Sequence, residues 1–172
     1  MIDCYQFENI NMLQHGQMVH EWYKDLVVDR NLTWDFGKVS NLVDQLIPRA
    51  SKPSLIEDYH VYHDIGKPQC RVVDEQGRQH FPNHAQVSYN AWMQAGKDEN
   101  IGWFILHDMD FHSLKGDDLN ELVLDPRAID LLLTSWSEIH ANAQMFGGIE
   151  STSFKIKRKQ LEKHTKLLCS KL

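Results

Sequence analysis

Histidines that stand beside carboxylates are the most distinctive feature of this sequence. Two separate His-Asp pairs occur: His63-Asp64 lies in the segment "HDIGKP", and His107-Asp108 lies in "LHD". Imidazole and carboxylate groups are ligands that Zn, Mn, Fe, Co and Ni accept in proteins. The pattern therefore predicts a divalent-metal centre to which distant parts of the chain contribute.

Several of these side chains occur where a solvent-facing polar group is not expected. His15 falls within the apolar stripe of Met12, Val19, Trp22 and Leu26, and each His-Asp pair closes an apolar segment. A buried polar group is costly unless a partner satisfies it, and a metal ion is one such partner. The full candidate set is His15, His63, Asp64, His80, His84, His107, Asp108, His112, Glu138 and His140.

Each candidate also fits an ordinary structural role. His15 alone suits a hydrogen-bonded core histidine, and His63-Asp64 alone suits a charge pair at the end of a helix. His80 and His84 suit a surface loop, since Pro82 opposes an early helix start. His112 and His140 are interpreted as surface or supporting residues. The metal hypothesis therefore depends on the ensemble rather than on any one member.

The elements that must position these residues are predicted to be helical. Apolar residues recur at intervals of three and four, which is typical of helices with one buried face. We predict a compact all-α bundle that forms a single domain over residues 1–172, with a basic C-terminal helix at 150–172. "CRVVDEQGRQHF" predicts one small β-hairpin near residues 70–81. The other helices are predicted at 12–26, 36–47, 53–64, 83–96, 99–109, 116–122 and 126–146.

The overall charge restricts the kinds of partner. The net charge is −6, yet residues 154–172 contain seven basic residues and one acid. An acidic body argues against extensive coating by nucleic acid, whereas a basic end could hold a phosphate backbone. Lysines on the wet face of an amphipathic helix are the alternative explanation of that end.

No apolar run approaches the roughly 18–20 residues that span a bilayer, and no secretory signal is evident, so no membrane partner is expected. Three scattered cysteines, Cys4, Cys70 and Cys169, suit a reducing compartment, and we predict a cytoplasmic location.

The order His15, His63-Asp64, His84, His107-Asp108, Glu138 resembles that of the HD superfamily of metal-dependent phosphohydrolases, whose signature matches "HDIGKP". The segments "HFPNHAQ", "LHD" and "LTSWSE" further resemble the HD domain appended to bacterial tRNA nucleotidyltransferases. This resemblance covers roughly residues 12–148. Three departures stand out: no nucleotidyltransferase head is present, Glu138 replaces the usual Asp, and Ala85 replaces a frequent Glu.

The resemblance implies an HD-domain helical bundle with one or two divalent ions (Mn, Fe, Co, Ni, Zn or Mg). Asp64 is expected to bridge two ions. His15, His63 and Glu138 complete one site, and His84, His107 and Asp108 complete the other. With a single ion, Asp108 instead lies near the nucleophilic water. Lys67 is expected to contact the substrate phosphate, with a helix-end lysine as the alternative. Arg71, Arg78 and His80 are further substrate-binding candidates.

The expected activity is that of a phosphatase or phosphodiesterase, with Asp64, Lys67 and Asp108 as catalytic residues. The resemblance implies nucleotide or RNA-end phosphates as substrates, such as a 2′-phosphate or a 2′,3′-cyclic phosphate. Two alternatives remain. One is a deoxynucleotide phosphohydrolase. The other is a non-catalytic module that binds nucleic acid or a partner, with a degenerate or purely structural metal site, for which Glu138 and Ala85 are the main support.

Overall fold

The computed structural model describes residues 1, 3–7, 9–145 and 147–172, and the prediction of an all-α fold is confirmed. One π-helical turn, Asp25–Asp29, and two 3-10 turns, Gly37–Val39 and Ile47–Arg49, accompany the α-helices in the described residues. The α-helices in chain order are α1 Met12–Lys24, α2 Ser40–Leu46, α3 Pro53–Tyr62, α4 Lys67–Cys70, α5 His84–Gln94, α6 Glu99–His107, α7 Asp110–Ser113, α8 Gly116–Leu122, α9 Ala128–Met145 and α10 Thr152–Cys169.

Two short antiparallel sheets accompany the helices. Strands β3 (Val72–Val73) and β4 (Gln79–His80) form the predicted hairpin, in which Val72 pairs with His80 and Val73 with Gln79. The pair β1 (Tyr5–Phe7) and β2 (Ile10–Asn11) was not predicted. Such short strands lack the alternating pattern that identifies longer ones.

Helix α1 begins with a capping box, which fixes its first turn. The Asn11 side chain accepts a hydrogen bond from the Gln14 amide, and the Gln14 side chain accepts one from the Asn11 amide. The predicted stripe is buried, including His15, so this histidine faces the interior. Helix α1 packs against α3 and α9, the elements that carry or precede His63 and Glu138.

Two glycines allow the close approach of backbone that assembles the site. A Cβ atom at Gly16 would lie 2.6 Å from the carbonyl oxygens of His60 and Val61, so only glycine lets α1 approach α3 this closely. A Cβ atom at Gly66 would lie 2.4 Å from the amide nitrogen of Ser88, on α5. These contacts draw α1, α3 and α5 together around the His63-Asp64 pair.

The helix boundaries near both His-Asp pairs differ from the predicted ones. Helix α3 ends at Tyr62, so His63 and Asp64 lie in the turn that leads to α4. The helix predicted at 99–109 is interrupted after His107, and α7 was not predicted. At the second of these turns, neighbouring residues differ in burial: Asp108 is buried, and His107 is half-buried.

Helices α9 and α10 pack against each other and close the bundle. The predicted heptad residues Phe154, Leu161 and Leu168 are buried in the larger hydrophobic cluster. Phe146, predicted on the apolar face of α9, lies outside the described residues. Within the described part of the chain, every helix is too short or too polar to traverse a lipid bilayer.

Candidate metal centre

Three distant side chains meet in the interior of the bundle. His15 from α1, His63 from the turn after α3 and Glu138 from α9 each offer a ligand atom, and these atoms all lie within 4.8 Å of one another. His15 and His63 are buried, and the Glu138 side chain is 13% exposed. Two imidazoles and a carboxylate in this arrangement could hold a divalent cation.

Three of the buried side-chain atoms that lack hydrogen-bond partners among the described residues lie at this cluster. Neither ring nitrogen of His15 has a hydrogen-bond partner among the described residues, and Oδ1 of Asp64 also lacks one. A buried donor or acceptor left without a partner costs about 1–3 kcal/mol, so native proteins rarely leave one unpaired. A cation bound by one ring nitrogen of His15 and by the Asp64 carboxylate would satisfy that nitrogen and Oδ1 of Asp64, and the residues therefore fit the expected metal.

Asp64 lies between the three-residue cluster and His84. Its Oδ2 atom is 3.3 Å from Nε2 of His63 and 2.7 Å from Nζ of Lys67, and its Oδ1 atom is 3.7 Å from Nε2 of His84. Burial opposes ionisation of Asp64, but the charges of His63 and Lys67 outweigh burial and hold the pKa well below its usual range. Asp64 is therefore a carboxylate with one oxygen still available to a cation.

The two cluster histidines differ in protonation. Burial, reinforced by the charge of His63, lowers the pKa of His15 to about 4, so His15 is neutral and offers a lone pair. Burial also acts to lower the pKa of His63, but the carboxylates of Asp64 and Asp108 outweigh it and raise the pKa to about 10. A cation bound at His63 must therefore replace a proton, which couples metal binding to pH.

Backbone carbonyls orient two of the imidazoles. Nδ1 of His63 donates to the carbonyl oxygen of His60 at 2.7 Å, and Nδ1 of His84 donates to the carbonyl oxygen of Phe81 at 3.1 Å. Because a carbonyl oxygen only accepts, each contact fixes the proton on Nδ1. Each ring thereby directs Nε2 toward Asp64, as is usual for metal-binding histidines.

A histidine of α7 supports the Glu138 carboxylate. His112 contacts Oε2 of Glu138 through Nε2 at 3.1 Å, and its side chain is 5% exposed. Burial acts to raise the pKa of Glu138, but the hydrogen bond and charge of His112 outweigh it and keep the pKa well below its usual range. His112 was interpreted as a surface or supporting residue, and it proves to support Glu138. No spacing signal links the two, because they are 26 residues apart on different helices.

Tyr59 supports the second aspartate in the same way. Its hydroxyl donates to Oδ1 of Asp108 at 2.8 Å, and both residues are buried. Burial raises the pKa of Asp108, and the neighbouring carboxylates of Glu138 and Asp64 contribute to the rise. Tyr59 falls on the apolar face of α3, where the sequence pattern of a core aromatic residue conceals its polar role.

Two further candidate histidines have their described contacts with other residues. Nδ1 of His107 contacts Oδ2 of Asp110 at 2.5 Å, and its ring lies 4.2 Å from that of Trp103, so its described contacts do not reach the cluster. His140 lies among aromatic side chains, where it is buried and fully hydrogen-bonded. The described partners of His107 are Asp110 and Trp103, and its role as a metal ligand stays a prediction.

The hairpin candidates have local partners. His80 and Arg78 both contact Oδ2 of Asp74 at 2.8 Å, and the Arg78 side chain is 70% exposed. Arg71 is exposed at the start of the hairpin. Of these three residues, only His80 is among those that line the two cavities described next.

Two cavities open beside the cluster. The smaller cavity, of about 350 Å³, is lined by Lys67, His84, Glu138 and Lys157 together with Asn142, Ser151, Ser153 and the apolar Met109, Ile139, Ala143 and Phe154. The larger cavity, of about 960 Å³, shares Lys67, His84, Met109 and Lys157 and adds His80 and Phe81 with their neighbours. A small molecule could therefore approach Glu138 and His84 from outside.

Comparisons of the chain with protein-family models, with curated proteins and with solved structures each found no match.

Proposed function

We propose that this protein is a divalent-metal-dependent phosphohydrolase that acts on nucleotides or on the phosphates at RNA ends. The observation that carries the proposal is the buried His15–His63–Glu138 cluster, in which both nitrogens of His15 lack partners. Its position beside cavities that contain lysine ammonium groups supports an anionic substrate. The resemblance of "HDIGKP" to the HD signature supports the same reaction class.

The proposed ligands have distinct roles. His15, His63 and Glu138 would hold the cation, and Asp64 has its second oxygen directed toward His84. When bound, a divalent cation lowers the pKa of water from about 15.7 toward 7 and polarises phosphoryl oxygens. His112 keeps Glu138 ionised and oriented.

Lys67 and Asp108 act beside the ligands. The ammonium of Lys67 neutralises Asp64 and lines both cavities, where its charge favours a phosphate over a neutral group. Asp108 is held by Tyr59, and its raised pKa suits a carboxylate that accepts a proton from the attacking water.

Hydrolysis assays across metals and phosphate esters test the proposal. The protein is supplied in turn with Mn²⁺, Co²⁺, Ni²⁺, Zn²⁺ or Mg²⁺. It is then assayed on nucleoside 2′-phosphates, 2′,3′-cyclic phosphates, and deoxynucleoside mono- and triphosphates. We expect turnover of 2′- or cyclic phosphates with at least one metal, and none in the variant His63→Ala with Asp64→Ala.

A matched pair of substitutions provides the control. His107→Ala with Asp110→Ala also removes a histidine and an aspartate that contact each other, but outside the cluster. We expect this variant to retain turnover. Full activity in the His63/Asp64 variant would refute the proposal, and turnover confined to deoxynucleoside triphosphates would instead support the deoxynucleotide phosphohydrolase.

A further inference from the structure

Lys157 of α10 lies where the two cavities meet. It lines both of them together with Lys67, His84 and Met109. Burial acts to raise the pKa of Glu138, whereas the contact with His112 lowers it. The positive charge of Lys157 lowers this pKa further. The ammonium of Lys157 is therefore close enough to the cluster for its field to act on a ligand carboxylate.

Lys157 differs from three neighbouring basic residues, which each pair with a carboxylate. Lys67 is bonded to Asp64 at 2.7 Å, Lys155 pairs with Glu150, and Arg158 pairs with Asp35. Lys157 is half-buried, and it forms no ion pair or hydrogen bond with any residue in the described part of the chain. A half-buried ammonium beside a cavity and without an anionic partner favours an anionic ligand.

We propose that Lys157 is a specificity-determining residue that binds the phosphoryl group of the substrate. This inference rests on the proposed function and deepens it, because it assigns to α10 the phosphate contact that the sequence suggested for Lys67. A lysine ammonium is an established kind of phosphate ligand that acts as a point charge.

The remaining walls of the smaller cavity suit the part of the substrate that does not react. Asn142 and Ser153 offer hydrogen-bonding groups, and Ile139 and Phe154 offer apolar surface. A volume of about 350 Å³ accommodates a small organic group rather than a folded macromolecule. The substrate class is therefore a phosphate ester whose non-reacting part combines polar and apolar surface, and Lys157 selects it by its charge.

Binding of inorganic phosphate tests this inference without requiring turnover. Isothermal titration calorimetry is performed on the full chain, with and without Mn²⁺, for wild type, Lys157→Gln, Lys157→Arg and Lys159→Gln. Lys159 is the matched control, because it is an exposed lysine on the same helix. We expect Lys157→Gln to weaken phosphate binding about tenfold or more, and Lys157→Arg to retain most of it. Lys159→Gln should bind phosphate within about twofold of wild type.

The outcomes separate this inference from the proposed function. Equal phosphate affinity in wild type and Lys157→Gln overturns the inference, and so does a wild type that does not bind phosphate. If the wild type still hydrolyses phosphate esters in that case, the proposed function is supported although the inference about Lys157 fails. Selective loss of phosphate binding in Lys157→Gln supports the inference even where no ester is hydrolysed, and in that case the proposed function alone fails. In an active enzyme, the same substitution is expected to raise KM more than it lowers kcat.

Discussion

Two buried histidines, His15 and His140, lie in contrasting surroundings. Burial lowers the pKa of each to about 4, so both are neutral near pH 7. Nδ1 of His140 donates to the carbonyl oxygen of Trp136 at 2.7 Å, and Nε2 accepts from the amide of Asp35 at 3.0 Å. His15 has no such partner on either nitrogen among the described residues. Burial alone therefore does not identify a metal ligand.

The neighbours of the two histidines reinforce the contrast. Aromatic rings surround His140, including those of Trp22, Trp34 and Phe154 at 4.5 to 5.2 Å between ring centroids. His15 instead faces His63 at a ring-centroid distance of 5.5 Å, with the carboxylates of Asp64 and Glu138 nearby. The region around His140 is completed by its own hydrogen bonds, whereas the cluster around His15 could hold a cation. The following predictions test this distinction.

The largest effect is expected from Asp64→Asn, which keeps the shape of the side chain and removes its charge. Lys67 and His63 then lose their anionic partner, and a bound cation would lose a proposed ligand. We expect kcat on the best substrate to fall by about 10²–10³-fold or more. A rate within tenfold of wild type would contradict the assignment of Asp64 to the site.

The region around His140 is also expected to respond to acid. Unfolded His140 titrates near 6.5 and folded His140 near 4, so the unfolded state binds more protons between these values. His140 therefore stabilises the fold above pH 6.5, and this contribution, on the order of 3 kcal/mol, is lost as pH falls from 6.5 toward 4.

Urea unfolding at pH 7 and pH 4.5 measures this effect in wild type and His140→Gln. The free energy of unfolding should fall less with acid in the variant, because the other histidines titrate equally in both proteins. Equal losses in the two proteins would show that His140 is not responsible.

A smaller effect is expected from changing His112, which contacts the proposed ligand Glu138 but is not itself a proposed ligand. His112→Phe removes the contact to Glu138 and leaves the other ligands in place. Loss of such a supporting contact weakens metal affinity by about 10–100-fold. Competition with a chelator measures the affinity. His164→Phe, which changes another largely buried histidine that neighbours Phe111, is the control and should bind metal as wild type does.

The smallest effect is expected from Arg78→Ala on the hairpin. Arg78 is exposed and is bonded to Asp74, so the substitution should change the free energy of unfolding by less than about 0.5 kcal/mol. We also expect KM within about twofold of wild type in a steady-state assay. A tenfold rise in KM would restore Arg78 as a substrate-binding residue.

Much of the fold could be predicted from the sequence because apolar periodicity determines which helix faces are buried. The stripe on α1, the start of α3 at Pro53 and the heptad on α10 are all confirmed. The hairpin also followed from its turn residues. Short elements such as α7 and β1 were missed, because a few residues carry too little pattern to separate them from a turn.

The site was predictable only where its residues share a local signal. His63-Asp64 and His15 were identified by polar side chains in apolar segments. The contacts of His112 with Glu138 and of Tyr59 with Asp108 depend on how separate elements pack, which no local pattern encodes. The turn after α6 likewise decides that Asp108 is buried beside Tyr59 whereas His107 contacts Asp110.

Metal content tests the central claim most directly. Wild type, His15→Gln and His140→Gln are loaded with Mn²⁺ or Zn²⁺, desalted and measured by elemental analysis. We predict that wild type and His140→Gln retain at least about one ion per chain, and that His15→Gln retains much less, because a ligand is lost. A wild type without bound metal, or a His15→Gln variant that retains as much metal as wild type, would contradict the account.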